Sequence, residues 1–173
     1  MKEVRLSKCR SRLFGLLALL MIIGPCFAKV LCNENERTVF SFDTKSRKSL
    51  SICRHKNNDY LVYRYGTTGK IEMQYPGVLD ITSWDAFTFS SMRRAGGKAN
   101  AGFGDYDLSF SIKKFNYFVF QTWSDEDGAY AIGVVVRNDK NKSGTRIDGL
   151  RETQKGSLVL LEEDSSYIEN TAM

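Results

Sequence analysis

The sequence predicts an all-β domain, an antiparallel β-sandwich or flattened barrel of about nine strands. Three observations carry this expectation. Short runs rich in Val, Ile, Phe, Tyr and Thr recur between clusters of turn residues. Beyond residue 28, no segment sustains apolar residues at the three- and four-residue spacing of an amphipathic helix. There is also no internal repeat, which sets aside propellers and solenoids. With 173 residues and 42% hydrophobic side chains, the chain is long enough for one domain with a real core.

The strands are read in order. Thr38–Phe42 leads into the polar turn 43–48, and Ser49–Cys53 into the loop 55–59. Tyr60–Tyr65 closes on Gly66-Thr67-Thr68-Gly69, and Lys70–Tyr75 alternates until Pro76-Gly77. These four runs form a β-meander. Ala86–Ser90 follows, then a glycine-rich stretch, then Tyr106–Ile112, Tyr117–Trp123 and Tyr130–Arg137. Ser157–Leu161 is the last expected strand. The single all-β domain is thus expected over 29–161, and residues 162–173 as a flexible acidic tail.

Residues 1–28 read as a secretory signal peptide. A basic start (Lys2, Arg5, Lys8, Arg10, Arg12) precedes the apolar run Leu13–Ile23, and Gly24-Pro25 breaks it before Cys26-Phe27-Ala28. The run is short for a membrane span, so no stable insertion is expected after cleavage. A lipid on Cys26 is the second reading, and Pro25 before that cysteine fits it poorly. Removing the segment changes the charge arithmetic. The whole chain has 25 basic and 20 acidic residues, net +5; without residues 1–28 the counts fall to 20 and 19. The basic character belongs to the address, and a nucleic-acid partner loses its support.

Cys32 and Cys53 are then the remaining cysteines, an even pair in an exported chain, and a disulfide is expected. The alternative is a reactive thiol at Cys53 beside His55, but residues two apart on a strand do not touch. A tight turn at 43–48 places Thr38, not Cys32, opposite Cys53. The segment before Thr38 must therefore fold back across the sheet, or a bulge must shift the register.

Several motifs have residue types that could carry chemistry. Arg93, Arg94, Lys98 and Asn100 lie in a cationic, small-residue stretch ending at Gly102, where backbone N–H groups and cations can meet an anion or a partner carboxylate. A soluble mobile loop explains the same residues, and the Walker spacing is missing. Trp84 and Trp123 are stacking platforms or partly buried core. Ser124-Asp125-Glu126-Asp127-Gly128 is a hairpin turn closed by Gly128 at positive φ, or a calcium loop. Arg64 and Glu72 are expected as a cross-strand pair. His55 is the single histidine, and no nucleophile elbow accompanies it. Asn141-Lys142-Ser143 fits a glycosylation sequon. No metal site or cofactor is expected.

The runs Leu50-Ser51-Ile52-Cys53, Tyr60 to Gly66 and Lys70 to Pro76 resemble small exported proteins of Gram-negative bacteria. The stretch Arg94 to Gly102 is similar to a glycine-rich segment of the same group, with Ala95 where another Gly is expected. The resemblance implies a periplasmic β-protein and transfers no catalytic residues. The expected function is an exported, non-enzymatic interaction module, such as a periplasmic inhibitor or immunity protein. Its partner would be a cell-envelope enzyme or toxin. The binding residues are expected among Arg93, Arg94, Lys98, Asn100 and Trp123. A glycan or small-ligand domain built on Trp84, Trp123 or the tyrosines of an exposed face is the alternative. A hydrolase pairing Asp105 or Asp107 with Asp125 or Asp127 is the third reading.

Overall fold

The computed structural model describes residues 29–138 and 141–171. The expected signal segment, residues 1–28, lies outside the described residues, and so do the side chains of the sequon Asn141-Lys142-Ser143.

The chain folds as an all-β sandwich of two antiparallel five-stranded sheets. The first sheet holds β1 (Glu36–Asp43), β2 (Ser49–His55), β3 (Leu61–Thr67), β4 (Lys70–Tyr75) and the two-residue β10 (Lys155–Gly156). Its order is β10-β1-β2-β3-β4, so the first four strands are the expected meander. The second sheet is a meander too, through β5 (Thr88–Arg94), β6 (Phe103–Ile112), β7 (Phe115–Ser124), β8 (Tyr130–Asn138) and β9 (Asn141–Asp148).

Strand alternation builds the core. Phe40, Phe42, Leu50, Ile52, Leu61 and Tyr63 face inward from the first sheet. Phe89, Tyr106, Leu108, Phe110, Val119, Ile132 and Val134 meet them from the second. The rings of Tyr63 and Phe110 touch across the interface with centroids 4.9 Å apart. Phe110 also stacks on Tyr75 and Tyr117, so aromatic contacts tie the sheets together at this end.

The Cys32–Cys53 disulfide is present. Cys53 does pair with Thr38, and a bulge follows between Thr38 and Phe40. The ladder leaves the turn with Asp43 opposite Ser49 and Phe40 opposite Ile52, so the bulge is what brings Thr38 opposite Cys53. Cys32 reaches its partner because the segment before β1 crosses the outer face of the first sheet. The Leu31 N–H donates to Ser51 Oγ at 3.0 Å there.

The last third departs from expectation. Ser157–Leu161, expected as a strand, is instead the start of a 3-10 helix over Leu158–Asp164. Leu158 and Leu161 lie one 3-10 turn apart and bury the same face. Ser157 caps it, its hydroxyl accepting from the Val159 N–H. Residues 162–171, expected as a loose tail, pack on the domain. Asp164 is buried in an ion pair with Arg54, and Ile168 joins the core. Asn170 bridges β5 at Phe89, and its side chain bonds Ser91. Strand β9 was not expected, because Asn141–Asp148 is polar at every position but Gly144 and Ile147. The pairing expected between Arg64 and Glu72 is also corrected. Arg64 lies opposite Gln74 and bonds Glu36, while Glu72 pairs with Lys48 at 2.6 Å.

Among the described residues, no helix is long and apolar enough to cross a membrane.

Candidate functional site

The β5–β6 and β7–β8 hairpins close at the same end of the second sheet, because Arg94 pairs with Phe103 and Phe103 with Ser124. Arg93, Gly104 and Trp123 form the last inward-facing row there, and Tyr106 is the next inward-facing residue of β6. With Arg94 and Ala95 they line an opening of about 410 Å³. Three of the expected binding residues, Arg93, Arg94 and Trp123, thus share one site.

Glycine sets its geometry. Gly104 lies under the indole of Trp123, and a Cβ there would come within 2.1 Å of Trp123 Nε1 and 2.8 Å of Tyr106 Cε2. The missing side chain lets the indole lie against β6, half-buried, with Tyr106 beside it. Burial raises the Tyr106 hydroxyl above its usual range, Glu162 adds to this, and Arg93 opposes it. The phenol therefore stays protonated near neutral pH. Arg93 reaches Glu162 at 3.4 Å but is 64% exposed, so its charge remains open to solvent and to a partner.

The two arginines differ. Arg94 donates through Nε and Nη2 to the Ala101 carbonyl, at 3.1 and 2.9 Å, and its guanidinium sits 5.1 Å from the Phe103 ring. Two of its five N–H donors are thus spent on closing the loop. Lys98 is exposed and makes no ion pair within 4 Å among the described residues. Asn100 shapes the tip, its carbonyl accepting from the Gly97 N–H at 2.9 Å.

The acidic turn is part of the same site. Gly128 has φ +67°, the positive value expected for a hairpin closure. The Asp127 carboxylate accepts from the Ala129 N–H, which holds it below the usual carboxylate range. Asp125 turns toward the glycine-rich loop. Its N–H donates to the Gly102 carbonyl at 2.9 Å, and a Cβ on Gly102 would meet Asp125 Oδ2 at 2.5 Å. Read from the sequence as separate motifs, the cationic loop and the acidic turn buttress each other.

The remaining candidates lie elsewhere. Trp84 is 1% exposed, donates its indole N–H to the Asn58 carbonyl and stacks on Tyr167. It is core and no platform. His55 Nδ1 lies 2.8 Å from Asp59 Oδ2, and its ring stacks on Tyr60. The opening that Asp107 lines includes none of Asp105, Asp125 and Asp127. Cys32, Cys53 and Glu36 bring ligand-type atoms within 4.8 Å of one another. However, the disulfide consumes both sulfurs, and Arg64, Tyr60 and the Asn33 N–H take up the Glu36 oxygens. No donor is left there for a cation.

Sequence reasoning missed two features. Tyr106 was taken only as a strand residue, although the small Gly104 two positions before it signalled a close approach. Glu162 was assigned to the tail. No family model matches this chain, and no curated protein or solved structure matches it either.

Proposed function

We propose that this chain is an exported, non-enzymatic interaction module that docks its loop end into the acidic cleft of a cell-envelope enzyme or toxin. An inhibitor or immunity protein works in this way. The observation that carries the reading is the opening shared by Arg93, Tyr106 and Trp123, with exposed Lys98 on the adjoining tip. A half-buried aromatic anchor beside solvent-accessible cations is the composition of an interface hot spot. The loop base is stiffened by Arg94 and Asp125, so less conformational entropy is lost on docking. The disulfide fits an oxidising compartment, and export to the periplasm or medium is part of the proposal.

The test is capture from a cell-envelope extract, followed by identification of the retained protein and assay of its activity. The wild type is expected to retain and inhibit one enzyme. Arg93→Ala plus Lys98→Ala is expected to weaken capture by about tenfold or more, the scale of losing charged interface contacts. Unchanged capture by that variant contradicts the reading. Glycan binding through Trp123 is the competing reading, favoured by the indole lining the opening. It predicts retention on oligosaccharide or peptidoglycan, lost on Trp123→Ala and indifferent to Lys98→Ala.

A further inference from the structure

The outer face of the second sheet carries a different arrangement. Alternation on β7 turns Phe118 and Phe120 away from the core. Both are covered by cations. The Arg137 guanidinium lies 4.9 Å from the Phe118 ring centroid, and Arg146 lies 4.4 Å from that of Phe120. Gly133 makes room, since a Cβ there would sit 2.7 Å from Phe120 Cζ. Two guanidiniums thus reach in from β8 and β9 over neighbouring rings of β7. Together with Val135 and Ala131 they line a depression of about 370 Å³.

Stacking holds a guanidinium flat and leaves its N–H edge for a planar acceptor, and a carboxylate matches that fork. Arg146 spends Nε on Asp148 Oδ1 at 2.6 Å and keeps its Nη edge. Arg137 makes no ion pair within 4 Å among the described residues. Phe120 is only 7% exposed, so it offers no open ring face for a sugar or a base. Beyond Phe118 a second depression of about 290 Å³ is lined by Asp85, Thr88, Ser109 and Ser111. Ser109 donates to the Thr88 carbonyl and Ser111 to Asn116 Oδ1, so the hydroxyl oxygens face the depression as acceptors for the N–H groups of an extended chain.

We propose that this face is a second binding site, which takes the C-terminal carboxylate of an extended peptide between Arg137 and Arg146, with the last side chain on Val135 and Ala131. The preceding residues run past Phe118 along the polar depression.

Asp107 on β6 makes the site pH-dependent. Burial pushes its carboxyl up to about 6, Asp105 adds to this, and Arg137 opposes it. The charged groups around it are Asp105 on its own strand, Arg137 on β8 and Arg146 on β9; Asp148 lies in the same cross-strand row, three strands away. The outward residues beside it on β7 and β5 are uncharged: Phe118, Phe120, Thr122, Ser90 and Met92. Ionised Asp107 competes with a ligand for Arg137. Protonated Asp107 does not, while a peptide carboxylate stays ionised down to about pH 4. Binding therefore strengthens as pH falls through about 6.

The test is calorimetric titration with acetyl-Ala-Ala-Leu carrying a free carboxylate, at pH 5.5 and 7.5. Binding is expected to be several-fold tighter at the lower pH. The C-terminal amide of the same peptide is expected to bind about tenfold more weakly or worse, the scale of a lost charge-assisted hydrogen bond. Asp107→Asn should bind at pH 7.5 as the wild type does at pH 5.5. Arg137→Ala plus Arg146→Ala, with its fold checked by circular dichroism, should lose the peptide and keep partner capture through Arg93 and Lys98. Failure of the free acid to bind at millimolar concentration overturns the proposal. So does equal binding of acid and amide, or isovalerate binding as tightly as the peptide.

Discussion

The two sheets share one architecture and treat their outer faces in opposite ways. The first sheet is sealed by its own chain. Residues 29–35 cross it, the disulfide pins them, and beneath them Ser41, Ser51 and Arg64 are all buried. Arg64 meets Glu36 through two hydrogen bonds of 2.6 and 2.8 Å, with side-chain exposures of 3% and 0%. It also donates to the Leu31 carbonyl and to Gln74. The second sheet leaves Arg137 and Arg146 lying over the outward-facing rings of Phe118 and Phe120. The carboxylates follow suit. Burial opposes ionisation of Glu36, but the Arg64, Asn33 and Tyr60 contacts outweigh it and hold the group below its usual range. Asp107 lacks such donors, and burial pushes it up to about 6. On the first sheet the buried Arg64–Glu36 pair is enclosed by its hydrogen bonds and holds the fold. On the second, Arg137 makes no ion pair within 4 Å among the described residues, and Arg146 commits Nε to Asp148.

The largest expected break in this contrast is Arg64→Ala. It leaves Glu36 buried without its cation and should cost about 3–5 kcal/mol in urea unfolding. Arg137→Ala should cost less than about 1 kcal/mol. Removing the disulfide by Cys32→Ser plus Cys53→Ser comes next. The bond spans a sequence separation of 21, and on the chain-entropy model its loss should cost about 3 kcal/mol. Reductant should produce the same fall in the wild type and none in the variant.

Gly104→Ala acts on the loop end. The new methyl displaces the Trp123 indole, so a loss of about 1–3 kcal/mol should accompany a shift in tryptophan emission. A stability loss with unchanged emission would mean that β6 yields and the indole stays in place.

The smallest effect separates the two carboxylates by sign. The Glu36 contribution is present above its unfolded value of about 4.3 and is lost as pH falls through its lowered folded value. Asp107 has a raised folded value, so between about pH 4 and 6 the folded state holds more protons than the unfolded one. Its effect on stability therefore worsens as pH rises through that window. Asp107→Asn should stabilise on the order of 1 kcal/mol at pH 7, with the gain vanishing below about pH 4. Matched urea titrations at the two pH values check the sign.

What was legible in the sequence divides along similar lines. Lys70–Tyr75 alternates strictly, and it is a strand with those bounds. The cysteine spacing and the turn at 43–48 called for a fold-back of the N-terminal segment or a bulge that shifts the register, and both occur. A bulge between Thr38 and Phe40 sets Thr38 opposite Cys53, and the disulfide joins Cys32 to Cys53. Local signals failed where a distant element decides the outcome. Arg64 was assigned to Glu72 on the next hairpin, but its partner comes from the segment that crosses the sheet. Ser157–Leu161 has the β-branched and apolar content of a short strand, and short apolar runs do not distinguish strand from buried helix. β9 escaped because it is an edge strand whose pattern rests on Ile147. At the site, the stretch holding Arg93 and Arg94 is legible as one motif, and Trp123 as a separate one. Their convergence depends on the pairing of β5, β6 and β7, and Gly104 is the sequence mark that betrays it.

The most direct test of the central claim, that the loop end is the partner surface, is hydrogen–deuterium exchange with the captured envelope enzyme bound. We predict protection in residues 93–102 and 123–128, with no change in 29–36. Protection confined to the first sheet, or exchange at 93–102 unaffected by the partner, would contradict it.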